Sequence, residues 1–138
     1  MWKYKDTPFE TIPEGAYGMV YKITRISDRK AYIGRKAFWT SRKSPKRKGS
    51  RKRPVVTKES NWRTYQSSCV ELQNEITRLG VDAFRFDVLV VVNSKARLTY
   101  EETRQLFLAD VLFKKLVDGT PAYWNGNISG KWFAARLK

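Results

Sequence analysis

The chain has 138 residues, of which 41% are hydrophobic, so it is long enough to fold as one domain around a buried core. Its 28 Lys and Arg exceed its 13 Asp and Glu and give a net charge of +15, which points to a polyanionic partner, most commonly nucleic acid. The sequence contains no histidine, which excludes histidine-ligated metal sites and Ser-His or Cys-His triads. The single Cys69 excludes an intramolecular disulfide and a multi-cysteine zinc site. The charge alone also fits an acidic protein or a membrane surface as partner, although no apolar run is long enough to span a membrane.

The first third of the sequence predicts an extended arm followed by a β-hairpin. Residues 1–16, which include two prolines, predict an extended N-terminal arm. Residues 17–26 alternate in hydropathy, and residues 31–34 predict a second short strand after a polar turn, so we expect an antiparallel hairpin. Such a hairpin brings Tyr21 and Tyr32 close together.

A strongly basic segment follows the hairpin. Between residues 29 and 58 there are thirteen Lys or Arg and no Asp or Glu. Residues 41–58 predict a basic loop insertion, because a segment of this composition cannot bury itself, and DNA binding is favoured over a role as a solvated linker. Trp39 and Trp62 flank it, either to stack on bases or to pack in the protein. The cations expected to contact DNA phosphates are Lys43, Lys46, Arg47, Lys48, Arg51, Lys52 and Arg53.

The second half of the sequence predicts a helix, a strand and another helix. Residues 68–71 have the pattern of a capping box, and the apolar spacing after them predicts a helix that ends at Gly80. Residues 84–92 are aromatic and β-branched and predict a buried strand. We expect a second helix to open at residues 99–102 and a turn at residues 123–127. The apolar stripe expected for the second helix is Leu106, Ala109, Phe113 and Leu116.

Two short motifs make this order of elements resemble a known family. Gly18-Met19-Val20-Tyr21 is followed by Tyr32-Ile33-Gly34, and Tyr32 stands eleven residues after Tyr21. Over residues 17–133 the chain resembles the GIY-YIG nuclease superfamily, in its phage-encoded, homing-type branch. The resemblance implies an α/β (α+β) fold in a single domain of residues 1–138, with a small central three-stranded, mainly antiparallel sheet flanked by helices.

The resemblance also implies cleavage of a DNA phosphodiester with Mg²⁺ or Mn²⁺ as cofactor. Glu102 would be the metal ligand, although its spacing from Thr99 also allows it to cap its own helix, and Glu101 is the fallback. Tyr21 and Tyr32 are joint candidates for the general base, provided that nearby cations lower their pKa. Each tyrosine can also be an ordinary packing residue of a strand.

Three further residues are candidates for catalytic contacts with the phosphate. Arg42 stands ten residues after Tyr32, where the resemblance places a phosphate-clamping arginine; Lys36 is the alternative, and Arg35 lies beside it. Asn125 corresponds to the family's closing asparagine, which would orient the phosphate or a metal-bound water. The Asn-Gly pair that it begins is also a common turn sequence.

The resemblance thus implies a divalent-metal-dependent endonuclease that hydrolyses double-stranded DNA, including a homing-type role, expected in the cytoplasm or in a host cytoplasm if the chain is phage-encoded. The alternative is a non-catalytic basic nucleic-acid-binding protein, either a lapsed nuclease fold or a small RNA or DNA binder. The sequence predicts no separate recognition domain, so specificity is expected either to come from the basic loop, a dimer or a partner protein, or to be poor. The oligomeric state is not predicted.

Overall fold

The computed structural model describes residues 1–43, 45–46, 48–49, 51 and 54–137. Within these ranges the chain forms short strands, two α-helices and three single 3₁₀ turns. The strands are β1 (Trp2–Tyr4), β2 (Thr7–Pro8), β3 (Gly18–Arg25), β4 (Ala31–Ala37), β5 (Trp39–Lys43), β6 (Val55–Glu59), β7 (Phe84–Val92), β8 (Asn127–Ile128) and β9 (Trp132–Phe133). The helices are α1 (Val70–Leu79) and α2 (Lys95–Leu108), and the 3₁₀ turns are Trp62–Thr64, Val81–Ala83 and Ala134–Arg136.

A five-stranded mixed sheet in the order β2-β1-β7-β3-β4 forms the centre of the α/β fold. The predicted antiparallel hairpin is confirmed as β3 and β4, and the predicted buried strand is β7, antiparallel to β3. The expected count of three strands is wrong. The two extra strands come from the predicted arm, because β1 pairs in parallel with β7 and β2 pairs with β1.

Trp2 explains why the first residues join the sheet. Its side chain is 2% exposed, and its ring makes edge contacts with Tyr21 and Phe86. Its indole N–H donates to the backbone carbonyl of Trp62 over 2.8 Å. A buried aromatic residue with a satisfied polar group supplies far more stabilisation than a three-residue strand has on its own. The start of the chain is therefore part of the core.

The two faces of the sheet carry separate cores. Alternate residues of a strand point to opposite faces. Tyr21 and its neighbours on one face pack against α1, whereas Val20 and Ile33 on the other face pack against α2. The candidate catalytic residues on β3, β4 and α2 therefore meet at an edge of the sheet, where both faces are accessible.

The first helix begins one residue later than predicted and lacks the predicted capping box. Its N-cap is Cys69, whose side chain makes no capping hydrogen bond, and the Cys69 N–H donates to the Ser67 hydroxyl over 3.1 Å. The predicted end is confirmed, since Gly80 follows the helix with a φ of +90°. Glycine adopts that conformation without the penalty that a Cβ would add.

The second helix begins five residues before its predicted start. Its N-cap is Ser94, whose side chain accepts a hydrogen bond from the Arg97 N–H over 3.1 Å. Thr99 therefore lies in the second turn, so the reading of Glu102 as a capping residue is wrong. Neither helix in the described ranges is long and apolar enough to cross a membrane.

The second helix also ends earlier than predicted, because a Schellman motif closes it. The Asp110 N–H donates to the Phe107 carbonyl, and the Val111 N–H donates to the Leu106 carbonyl. Asp110 has a φ of +51°, and Val111 packs with Leu106 in the core under this helix. Phe113 and Leu116, which were expected in the helix, therefore lie beyond it. The sequence did not predict this helix end, because the residue with positive φ is an aspartate and not the usual glycine.

The predicted basic loop has ordered ends. Its first and last residues belong to β5 and β6, which pair antiparallel with Trp39 opposite Glu59 and Lys43 opposite Val55. The prediction of a loop over residues 41–58 is therefore wrong at both ends. Of the cations predicted to bind DNA, Arg47, Lys52 and Arg53 lie outside the described residues, whereas Lys43, Lys46, Lys48 and Arg51 are exposed.

Candidate active site

A cavity of about 350 Å³ opens at the free edge of β4, the last strand of the sheet. It gathers side chains from β3 and β4, from α2 and from the segments before α1 and after α2. The side chains with polar groups at this cavity are Tyr21, Tyr32, Arg35, Ser68, Glu102, Asn125, Asn127 and Ser129. Four of the predicted catalytic residues, both tyrosines, Glu102 and Asn125, are thus brought together from distant positions of the chain.

Gly34 makes room for the tyrosine pair. It lies directly opposite Tyr21 in the β3–β4 ladder, and Tyr32 is two residues before it, on the same face. A Cβ at position 34 would overlap the hydroxyl of Tyr21 and lie 3.0 Å from the ring of Tyr32. The last glycine of the second motif is therefore required because the Tyr21 phenol crosses the backbone at this point.

The two phenols are in different environments. Tyr21 is 1% exposed, and burial, followed by the neighbouring Tyr32, Tyr65 and Glu102, raises its pKa far above the ordinary value. Tyr32 is half-buried; burial also raises its pKa, but an interaction with the Ser68 hydroxyl opposes the rise. The expectation that nearby cations lower the tyrosine pKa values is wrong for this structure. Both phenols hold their protons at neutral pH, and Tyr21 holds its proton more firmly.

Glu102 supplies a carboxylate at the cavity. Its side chain is 22% exposed, and its Oε1 lies 3.7 Å from the Nε of Arg35. Burial raises the pKa of Glu102, and the charge of Arg35 partly offsets that rise. Arg35 also donates from Nη1 to the Thr99 hydroxyl over 2.5 Å, which holds the guanidinium beside α2. A carboxylate in such a long ion pair remains able to accept a stronger cationic partner.

The fallback carboxylate, Glu101, faces a different part of the molecule. It is 5% exposed and forms ion pairs with Arg97 over 2.9 Å and with Arg104 over 3.3 Å. The negative charge of a buried carboxylate that has two arginine partners is already balanced by them. Glu102 is the only carboxylate that lines the cavity among the described residues.

Asn125 ties the segment after α2 to the edge of β4. Its Oδ1 accepts from the Ile33 N–H over 3.1 Å, and its Nδ2 donates to the Ile33 carbonyl over 2.8 Å. Two residues earlier in β4, Ala31 exchanges backbone hydrogen bonds with Ala122 and Trp124. The amide of Asn125 therefore replaces a missing strand partner, and both of its polar atoms are occupied by backbone.

The other predicted phosphate contacts lie outside this cavity. Lys36 places its Nζ 4.2 Å from the centre of the Tyr65 ring, and burial lowers its pKa. Arg42 is exposed on β5. The arginine beside Glu102 is instead Arg35, which the sequence analysis noted only as a cation next to Lys36. The alternation of side chains along β4 could have predicted this position. Arg35 is next to Gly34 and therefore points to the opposite face of the sheet, against which α2 packs.

The two tryptophans that flank the basic segment differ in burial. Trp62 is 0% exposed and its indole N–H donates to Glu59 over 2.9 Å, so it packs in the core and cannot stack on bases. Trp39 is 40% exposed, and its indole N–H donates to the Ala16 carbonyl over 3.1 Å.

The comparison with protein families identifies the chain. A family model described as "Putative endonuclease segE, GIY-YIG domain" matches residues 2–128. The chain belongs to this GIY-YIG family. No curated protein and no solved structure matches the chain. The match begins at residue 2 and therefore covers β1, whose Trp2 is buried in the core.

The residues of this GIY-YIG domain fit the divalent metal that the family resemblance implies. The described residues contain no group of three or more His, Cys, Asp or Glu that could form a metal cluster. Mg²⁺, however, prefers oxygen ligands and is commonly held by one or two carboxylates, with water and substrate phosphate completing its coordination. Glu102 is half-buried, faces the cavity and has one long ion pair. It is the residue that would hold Mg²⁺ or Mn²⁺.

Proposed function

We propose that the protein is a divalent-metal-dependent endonuclease that hydrolyses phosphodiester bonds of double-stranded DNA. The observation that carries the proposal is the convergence of Tyr21, Tyr32, Arg35 and Glu102 on one cavity at the free edge of β4. Family membership supports a nuclease, and the net charge of +15 supports a nucleic-acid substrate.

In this proposal Glu102 holds the divalent cation, which would supply positive charge at the scissile phosphate. Arg35 donates hydrogen bonds to the same phosphate, where guanidinium geometry suits two phosphate oxygens. The backbone N–H of Arg35 supports this role, because Arg35 is two residues after Ile33 and its N–H therefore points to the same outer edge of β4, away from β3. Arg42, exposed on β5, is not needed for this contact.

The two tyrosines take different roles in the proposal. Tyr32, in its deprotonated form, accepts the proton of the attacking water, since it is less buried than Tyr21 and Ser68 opposes the rise in its pKa. Tyr21 keeps its proton and donates a hydrogen bond to the water or to a phosphate oxygen. As the water oxygen bonds to phosphorus, the bond from phosphorus to the leaving oxygen breaks, and that oxygen leaves with a proton from solvent.

Plasmid cleavage with Mg²⁺ or Mn²⁺ tests the proposal. We expect nicked or linear product from the wild-type protein, and a loss of at least about 100-fold in rate for Glu102→Gln and Arg35→Ala. Glu71→Gln is the matched control, because Glu71 is an exposed carboxylate on α1. If Glu102→Gln cleaves as fast as Glu71→Gln, Glu102 does not hold the metal.

The alternative function is a non-catalytic nucleic-acid binder. It is favoured by one observation, the raised pKa of both phenols, which lowers the fraction of either that can act as a base. Salt-sensitive DNA binding without product over pH 6–9, with either metal and several DNA substrates, would establish it. The endonuclease proposal includes, more specifically, a homing-type role. That role requires that the ends of the cleavage products map to one defined sequence.

A further inference from the structure

The paired strands β5 and β6 form a two-stranded ribbon outside the central sheet. All ten of their residues are exposed, and these include Val55 at 63% and Val56 at 42%. A two-stranded hairpin whose strands bury neither face is only marginally stable in water. An ordered ribbon with exposed aliphatic side chains therefore points to a partner that covers it.

The base of the ribbon is fixed to the core. Phe38, between β4 and β5, is 0% exposed, and the Ser60 hydroxyl donates to the Ala37 carbonyl over 2.7 Å. Glu59, at the end of the ribbon, accepts hydrogen bonds from Trp62 over 2.9 Å and from Arg63 over 2.7 Å. The direction of the ribbon relative to β4, and hence to the cavity, is thus set by buried contacts.

One face of the ribbon combines positive charge with small apolar groups. The register pairs Arg42 with Val56 and Thr40 with Lys58, and paired residues point to the same face. That face carries two cations, a threonine and a valine, with no carboxylate. The opposite face includes Glu59, which is occupied by Trp62 and Arg63.

We infer that this face of the ribbon enters the major groove of double-stranded DNA and contacts base edges there, with Arg42 as the principal specificity residue. The inference rests on the proposed function for its choice of DNA as the partner. The major groove is about 12 Å wide and admits a two-stranded ribbon, as known β-ribbon proteins show. Arginine pairs with the O6 and N7 of guanine, and threonine and valine contact the methyl group of thymine.

The chain limits how far this contact lies from the cavity. Arg42 is seven residues after Arg35, and an extended chain covers at most about 3.4 Å per residue, so the two side chains start within about 24 Å of each other. This distance corresponds to about seven base pairs of B-DNA. The bases contacted by the ribbon therefore lie within about one turn of the cleavage site.

Selection of bound sequences tests the inference without cleavage. The full chain carrying Glu102→Gln is incubated with a random double-stranded DNA pool in EDTA, and the selected sequences are compared with those bound by Glu102→Gln/Arg42→Ala. We expect a preferred sequence that contains guanine, and a loss of 5- to 100-fold in preference at that guanine when Arg42 is replaced. Lys43→Ala is the matched control, because Lys43 is the next residue on the opposite face of the ribbon and should weaken binding to all sequences equally.

Methylation interference locates the groove. Dimethyl sulfate modifies the guanine N7 in the major groove and the adenine N3 in the minor groove. We expect interference at guanine N7 that disappears in Arg42→Ala. No selected sequence, an unchanged preference in Arg42→Ala, or interference confined to adenine N3 overturns the inference. If the wild-type protein never cleaves DNA and yet Arg42→Ala changes the preferred sequence, the proposed function fails and the inference stands.

Discussion

Replacement of Asn125 by alanine should destabilise the fold, since the Asn125 amide serves as the strand partner of Ile33. The change removes one hydrogen bond of 3.1 Å and one of 2.8 Å and leaves the Ile33 N–H and carbonyl without their partners. Ile33 is 2% exposed. A buried polar group that loses its partner costs about 1–3 kcal/mol. Because Asn125 is itself half-buried, water can reach part of the gap, and the two losses together should lie near the lower end, at about 2–3 kcal/mol.

Thermal and urea denaturation measure this loss. For a chain of this length, about 3–4 °C of Tm corresponds to 1 kcal/mol, so Asn125→Ala should lower Tm by about 6–12 °C. Asn127→Ala is the matched control, because Asn127 is exposed and accepts one hydrogen bond, from Gly130 over 3.1 Å. Its Tm should change by less than about 2 °C.

A second variant at the same position should lose an amount of stability that depends on pH. Asn125→Asp keeps an acceptor for the Ile33 N–H but directs a carboxylate at the Ile33 carbonyl. Protonation of that aspartate restores the donor, so its folded pKa should exceed its unfolded one. The stability lost by Asn125→Asp should therefore shrink as pH falls from 8 to 4. If Asn125→Ala abolishes cleavage while Tm falls by less than about 1 °C, Asn125 acts on the substrate and the structural account is wrong.

The structure leads to four other predictions. Trp2→Ala should lower the free energy of unfolding by about 3–5 kcal/mol in urea titrations, whereas Lys3→Ala on the same strand should change it by less than about 0.5 kcal/mol; equal effects would show that Trp2 is not part of the core. Gly34→Ala should lower both Tm and cleavage, and Tyr21→Phe in the same chain should recover part of the Tm, since the added Cβ meets the Tyr21 hydroxyl first; no recovery would place the clash elsewhere. Glu102→Gln should raise Tm at pH 8 and have little effect near pH 4, because burial raises the folded pKa of Glu102 and its ionisation above the unfolded pKa destabilises the fold; a lower Tm at pH 8 would contradict this. The cleavage rate should rise continuously from pH 6 to pH 9 in wild type and lose that slope in Tyr32→Phe, since burial raises the pKa of Tyr32; an unchanged slope would assign the base elsewhere.

The local sequence pattern was sufficient to predict the β3–β4 hairpin and the end of α1. The alternation around Tyr21, a polar turn and the Tyr32-Ile33-Gly34 motif all favour the same two antiparallel strands, and the ladder has Tyr21 opposite Gly34. Gly80 ends α1 because its positive φ suits a residue without a side chain. In these places the local preference of the chain and the fold agree.

Long-range contacts account for most of what the sequence did not show. The bonds between Asn125 and Ile33 join residues 92 positions apart, and no periodicity around Asn125 indicates them. Trp2 forms its strand only because β7, more than eighty residues later, offers a free edge. The end of α2 at Leu108 was missed for a local reason, since the residue with positive φ that closes the helix is Asp110, and aspartate adopts a positive φ less commonly than glycine.

The position of β4 links the proposed chemistry to the proposed DNA contact. Its first residues are covered by the segment that ends at Asn125, its middle carries Gly34 and Arg35 at the open cavity, and its last residue leads through the buried Phe38 into the ribbon. Because Phe38 and Ser60 fix that junction, the ribbon and the cavity cannot shift independently along a DNA duplex. The distance between the contacted bases and the cleaved bond should therefore be constant among all the sequences that the protein cleaves, even where the bases between them vary.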